Sequence, residues 1–396
     1  MTAGSSNDKR AALEERVRAI PFRRKVAFVL SIWITLFLIA EIGARVGGYF
    51  IYGRSPFFLF YGFKSFMADS DPEGHSAAYD GYFKFPPNRT LRQYGLFQEP
   101  TPIRINSHGF RGPEFEATKP ASMIRIICLG ESSTFGFFNS DTGTYPAILG
   151  RLMSDSARGN TAPRYEVINA GIPHANSDNI RAMVEHEILT YKPDVLTLYA
   201  GYNDAAALMA PSTLHKTLTW LHSHFASWVA FKRLITALGG PDLPSRWSAQ
   251  RAGSDSAQVG LQARLHRERY RSNLQSMVSA VQGQGIPIVF IKQAVTTGWG
   301  DSTGLSYQQK VSNAQQTLAR GERISGSETM MVVHSALMAV LDSVAAAAQV
   351  PVVNFIEVVN RHPEFFASYV HLTETGNTAL AQALIPVLER EASKRQ

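Results

Sequence analysis

Cysteine is nearly absent from this chain. Cys128 is the single one in 396 residues, so no disulfide forms within the chain. The fold must therefore rest on its core in any redox compartment, and Cys128 itself reads as a small core residue. Charge is scarce as well, at 18% of residues, and the net of +7 is unevenly spread. Residues 1–25 hold seven basic residues against three acidic ones, a net of +4, which leaves +3 for the other 371. The body of the chain thus lacks the basic footprint of a nucleic-acid-binding protein. His215, His222 and His224 have no metal-ligand spacing, and no Cys/His cluster is available for zinc. No metal is expected.

What the chain does have is a long apolar run. Val26 to Ala40 carry no charge, and after Glu41 the apolar character resumes through Ala44. Residues 26–45 match the ~20 residues that a helix needs to cross a bilayer, with Glu41 and Arg45 near enough to its end to reach the interface. A cleaved signal peptide and a buried helix compete with this reading. The preceding basic segment is long for a signal peptide, however, and no clean small-x-small cleavage site follows. An uncleaved signal anchor is the expectation. The basic cluster of residues 1–25 would stay in the cytoplasm, and the remainder would be exported. In a bacterium that means an inner-membrane protein with one pass and a periplasmic body.

Residues 46–123 are rich in aromatics, glycine and proline with little periodicity, and read as an irregular connector packed on the main domain. Within it Asn106 to Gly112 stands out as turn-rich. From residue 124 to 396 the pattern changes. Strand candidates at 124–129, Glu166–Asn169, Asp194–Ala200, Ile286–Lys292 and Val352–Phe355 alternate with helical stripes. Those stripes include Ile180/Met183/Val184/Ile188, Tyr270/Leu274/Met277/Val278/Val281 and Leu337/Met338/Leu341/Val344. Leu380/Ala383/Leu384/Val387/Leu388 follow a capping Thr373, with Pro386 expected to kink that helix. Such alternation predicts an α/β fold with a parallel sheet of about five strands and helices on both faces. Residues 205–261 interrupt the rhythm as an insertion. Its apolar stripe (Leu214, Leu218, Leu221, Phe225, Trp228, Ile235) suggests a helix packed on the core, with a lid or membrane-facing element as the alternative.

The chemistry gathers at strand ends. The apolar run Ile124–Leu129 stops at Gly130 and delivers Glu131-Ser132-Ser133-Thr134-Phe135-Gly136, a small-residue turn that exposes a serine hydroxyl. Ligands of open α/β sheets bind at that carboxyl edge. Asn169-Ala170-Gly171 follows the second strand, Gly201-Tyr202-Asn203-Asp204 follows the third, and His371-Leu372-Thr373 precedes the last helix. Acyl transfer needs this set. Ser132 is a weak nucleophile that requires a base, which His371 can supply. The oxyanion requires fixed donors, for which the Ser132 and Gly171 amides and the Asn203 side chain qualify.

Together these motifs resemble the SGNH (GDSL-type) hydrolase family, whose four name residues would be Ser132, Gly171, Asn203 and His371. The stretch Asn106 to Gly112 also looks like the lead-in of its membrane-anchored members. The resemblance implies a flavodoxin-like α/β/α sandwich and serine hydrolase chemistry on carboxylic esters, without metal or organic cofactor. Two positions depart from the pattern. Glu131 stands for the usual aspartate of the turn, a mainly structural position. Ser368 stands where the family places the acid, three residues before the histidine. Ser368 can hydrogen-bond the imidazole but cannot offset an imidazolium charge. Glu364 and Glu357 are alternative orienting groups. His174, just after the Gly171 turn, is expected at a loop surface or lining the pocket.

The expected protein is a membrane-anchored, exported esterase acting on an O-acylated (O-acetylated) envelope glycan or a lipid. An O-acyltransferase using the same acyl-enzyme is the alternative, as is a degenerate glycan-binding or assembly protein.

Overall fold

The computed structural model describes residues 21–52, 77–78, 81–93, 101–156, 164–206, 225–237, 254–296, 304–360 and 362–394. His215, His222, His224 and the Leu214–Leu221 part of the expected stripe lie outside them. The chain divides into two compact units. The first contains α1 (Phe22–Tyr52) and α6 (Ala226–Ala237). All other elements named below belong to the second.

In the second unit five strands form one parallel sheet. They are β5 (Met123–Gly130), β6 (Arg164–Gly171), β7 (Val195–Tyr199), β8 (Ile288–Ile291) and β9 (Val352–Val353). Their spatial order is β6-β5-β7-β8-β9, with every neighbour pair parallel. Relabelled by sequence, this is 2-1-3-4-5, the flavodoxin-like doubly wound order. From Ile124 onward every β5 residue is buried, as expected of a strand covered on both faces. Cys128 is among them, and burial pushes its thiol up to about 12.

The expected helical stripes become α4 (Ser177–His186), α7 (Ser256–Gln282), α9 (Gly326–Ala348) and α11 (Glu374–Ser393). Thr373 caps α11 by accepting from the Gly376 amide, and the helix runs through Pro386. Three helices had no clear signal. α3 (Tyr145–Ser156) starts at Tyr-Pro, α5 (Tyr202–Ala206) is a single turn, and α8 (Tyr307–Ala319) is dominated by glutamines and other polar residues. A short α2 (Ser132–Phe135) follows β5, and α10 (Phe355–Val359) follows β9.

The described parts of the connector carry two short antiparallel strand pairs. β1 (Ala77–Ala78) pairs with β2 (Phe83–Lys84), and β3 (Arg89–Gln93) pairs antiparallel with β4 (Thr101–Ile105). Ile103 and Ile105 pack with Phe85 and Phe135 in a small core of their own. Arg111 then bridges Ile105 to Asn169 of β6. These strands are too short to show a clear alternation in sequence.

In the first unit α1 is long and apolar enough to cross a membrane. The most apolar 18-residue window of its Phe22–Gly47 stretch has a mean hydropathy of 2.3, and only 6% of that window is buried. α9 is also apolar, but at 61% buried it is the core helix of the second unit. The described helix of the insertion, α6, packs on α1 within the first unit, with Ala226 against Ala44.

Candidate active site

Doubly wound sheets bind ligands where the strand order reverses, here between β5 and β7. The three expected strand-end turns meet there. Gly130 ends β5 so that Ser132 starts α2, where N–H groups have no acceptor within the helix. His371 Nε2 lies 2.8 Å from Ser132 Oγ, across 239 positions of sequence. Ser368 Oγ lies 2.7 Å from the other ring nitrogen, Nδ1, and also accepts from the His371 amide at 3.2 Å. Serine, histidine and serine thus form one hydrogen-bonded line.

Glu364 and Glu357 are elsewhere. Glu364 is exposed and pairs with His362 Nδ1 at 2.8 Å, while Glu357 takes the Asn354 side-chain amide at 2.7 Å. Both are drawn to the nearest donor on their own loop. With no carboxylate beside it, burial pushes His371 down to about 3, and His174 adds to the effect. His174 itself is exposed, in the left-handed region at φ 67°. The imidazole is therefore neutral and able to accept a proton, but its charged form gains little from its surroundings.

Gly171 differs from expectation. Its amide donates to Asn169 Oδ1 at 3.0 Å and so is already engaged. What demands glycine is space, since a Cβ there would lie 2.2 Å from Phe135 N and 2.6 Å from Thr134 C. Gly171 lets α2 sit against the end of β6. Asn203 spends one Nδ2 proton on Ala175 O at 2.8 Å, which leaves its second proton to donate. The Ser132 amide and Asn203 remain as candidate oxyanion donors.

Glu131 explains its own departure from the family pattern. Fully buried, it accepts from the amides of Gly201 (2.9 Å) and Asn203 (3.1 Å) and from Gln293 Nε2 (3.3 Å). Its carboxyl therefore ties the nucleophile turn to the Asn203 turn. Burial and Asp204 push it up to about 8, against three donors that favour the carboxylate. Gly201, at φ 139°, supplies a backbone conformation that L side chains rarely adopt. Asp204 then holds the turn to α4 by accepting from the Ser177 amide at 2.9 Å and from its hydroxyl.

Two supporting groups escaped sequence reasoning. Arg111 is buried, and its guanidinium donates to the carbonyls of Phe135 (2.9 Å), Gly136 (2.8 Å) and Asn139 (2.7 Å) and pairs with Asp141. Burial lowers its pKa to about 10, with Asp141 opposing. It clamps the loop that follows the nucleophile. The signal was the turn-rich Asn106–Gly112 segment, legible as unusual but not as a clamp. Asn139 and Ser133, the second group, reach the histidine loop, donating to Leu372 O (2.9 Å) and Val370 O (3.0 Å). On the open side, Phe137 and Phe138 flank the imidazole with ring centroids 5.3 and 5.4 Å away. Phe138 is 47% exposed and sits at φ 70°.

Several solved structures align with part of the chain. A lipase/acylhydrolase from Enterococcus faecalis is 16% identical, with 67% of this chain and 95% of that one covered, at a TM-score of 0.39. The acetyl xylan esterase AlAXEase is 14% identical over 67% of this chain and 99% of its own, also at 0.39. A catalytic mutant of Axe2, an acetylxylan esterase from Geobacillus stearothermophilus, is 13% identical over 68% and 94%, again at 0.39. No curated protein sequence is significantly similar. The model of the GDSL-like lipase/acylhydrolase family matches residues 128–379, which include Ser132, Gly171, Asn203, Ser368 and His371 but not Arg111. The chain belongs to the GDSL-like lipase/acylhydrolase family.

Proposed function

We propose that the chain is a membrane-anchored, extracytoplasmic serine esterase that hydrolyses O-acyl esters through an acyl-enzyme on Ser132. The observation that carries this reading is the 2.8 Å contact between Ser132 Oγ and His371 Nε2. That is the reach a general base needs. Ser132 Oγ attacks the ester carbonyl as His371 takes its proton, and the oxyanion forms between the Ser132 amide and Asn203 Nδ2. Collapse expels the alcohol, which receives the proton from His371. Water repeats the sequence to free the acid and restore Ser132.

Ser368 takes the place of a carboxylate. A carboxylate only accepts, so it fixes the Nδ1–H tautomer that leaves Nε2 basic. A hydroxyl accepts or donates, and therefore holds the ring in place without enforcing the tautomer. The site is orientation-competent but weak in charge stabilisation, which suits an activated or small acyl ester. Phe137 and Phe138 offer apolar surface beside the reacting carbonyl. The apolar α1 with basic residues ahead of it supports anchoring with the amino terminus in the cytoplasm. A substrate at the cell envelope, an O-acylated glycan or a lipid, follows from that placement.

The test is hydrolysis of acetyl, butyryl and octanoyl nitrophenyl esters by wild type and Ser132→Ala. Activity abolished by the substitution supports the esterase. Release of nitrophenol that rises only when a sugar acceptor is added shifts the reading to acyl transfer. Equal rates in both proteins overturn it.

A further inference from the structure

The contact between α1 and α6 is built on a carboxylate. Glu41 is 8% exposed although most of its helix is uncovered. It accepts from the amides of Ala226 (3.0 Å) and Ser227 (2.9 Å) and from the Ser227 hydroxyl (2.7 Å), and it pairs with Arg45 at 2.7 Å. Ala226 and Ser227 begin α6, so a side chain of α1 caps a helix that lies 185 positions later. A carboxylate there satisfies first-turn N–H groups and complements the helix dipole. Beside this cap the rings of Phe37 and Phe225 meet edge to face at 5.2 Å.

The burial pattern fixes where α6 runs. Residues 26–40 of α1 are all exposed, whereas Glu41, Ala44, Arg45 and Gly47 are covered in full or in part. α6 therefore stays at the carboxyl-terminal end of the apolar stretch and does not run back along it. The charge-free residues rise about 22 Å at ~1.5 Å each, so Glu41 and Arg45 mark the point where the span leaves hydrocarbon. α6 starts at that level. It nevertheless presents Phe231 (48% exposed) and Leu234 (57% exposed), one helical turn apart on one side, with the Trp228 ring tilted beside Phe231 at 6.0 Å. The helix sequence also carries Lys232 and Arg233 and no acidic residue. A short helix with exposed aromatic and aliphatic residues, basic charge and a position at the end of a span has the properties of an interfacial helix.

We propose that α6 is a lipid-binding element. It is docked on α1 through Glu41 and lays Phe231 and Leu234 into the headgroup boundary of the outer leaflet. The bilayer is then held at two points, and the insertion is a membrane contact that fixes the rotation of the anchor. This rests on the reading of α1 as a span, and the test separates the two.

The full chain is reconstituted in phosphatidylethanolamine/phosphatidylglycerol vesicles with an environment-sensitive NBD label on Leu234→Cys or, separately, on Ile34→Cys. Cys128 is buried with a thiol pushed up to about 12, and so stays unlabelled. Lipids carrying spin labels at the headgroup or deep in the acyl chain act as quenchers. The expected result is blue-shifted emission at position 234, quenched mainly by the headgroup label, and deep quenching at position 34. Adding Glu41→Ala should weaken quenching at 234 and leave 34 unchanged. Aqueous emission at 234 with deep quenching at 34 overturns the lipid-binding role alone. Blue-shifted emission at 234 that no lipid quenches means a protein covers the face, and also overturns it. Indifference of 234 to Glu41→Ala contradicts the docking role of Glu41. Aqueous emission at 34 overturns the membrane span itself.

Discussion

Ser133 Oγ donates to Val370 O at 3.0 Å, so the residue after the nucleophile is tied to the residue before the histidine. Asn139 makes a second tie two residues further on, to Leu372 O at 2.9 Å. These two bonds tie the Ser132 turn to the loop that carries His371. Ser133→Ala removes one tie and buries an unpaired carbonyl, at a stability cost of about 1–3 kcal/mol. Because small misplacements at a reacting centre are costly, kcat should fall by on the order of tenfold or more, with KM little changed. Thermal melts and nitrophenyl acetate kinetics check both effects.

Ser368→Asp should be a gain-of-function change. The carboxylate would accept from Nδ1–H, hold Nε2 as the base and stabilise the imidazolium. Losing the charge and tautomer control of such an acid costs ~10⁴ in a serine-protease triad, so a gain on the order of 10²-fold in kcat is expected here. Ser368→Ala should lower kcat, because Nδ1 then loses its 2.7 Å partner. Steady-state rates of the three proteins at one pH decide it.

The pH dependence of stability carries the mark of the same histidine. Burial, aided by His174, holds folded His371 at about 3 against an ordinary value of 6.5. The unfolded chain thus takes up a proton as the pH falls through about 6.5, while the folded chain does not until about 3. Stability from the neutral imidazole is present above that window and is lost on descending through it. His371→Asn should remove this part of the slope. Comparison of wild-type and variant Tm between pH 8 and pH 4 reads it directly, and the Ser368→Asp variant should shift the window upward.

Much of this arrangement was legible in the sequence, for identifiable reasons. Apolar, β-branched runs such as Ile124–Leu129 announce a doubly buried strand, and the small residues after them announce turns at the sheet's edge. Ser132 and Asn203 were visible as acyl-transfer side chains at strand ends, and His371 as a base just before the last helix. Ser368 was visible as a departure, and the structure places it on Nδ1. Gly171 was misread because sequence does not distinguish an amide that faces a substrate from a glycine required by a 2.2 Å approach. Glu364 was misread because loop geometry, not proximity in sequence, decides which imidazole a carboxylate reaches. Arg111 acts on backbone carbonyls and Gln293 on the Glu131 carboxyl from far along the chain, and no local spacing encodes that.

Asn203→Ala should cut kcat by ~10²–10³, the usual cost of one oxyanion donor, with KM nearly constant. Gly171→Ala should instead lower stability sharply, since its added methyl meets backbone. Measuring both kcat and Tm for each variant separates the electrostatic role from the steric one.

The central claim is that Ser132 is an activated nucleophile served by His371. Labelling of the full chain with a fluorophosphonate, followed by peptide mass mapping, tests it most directly. The account predicts one adduct on the peptide containing Ser132, none in Ser132→Ala, and much slower labelling in His371→Ala. An unlabelled wild type, or equal labelling of Ser132→Ala, would contradict it.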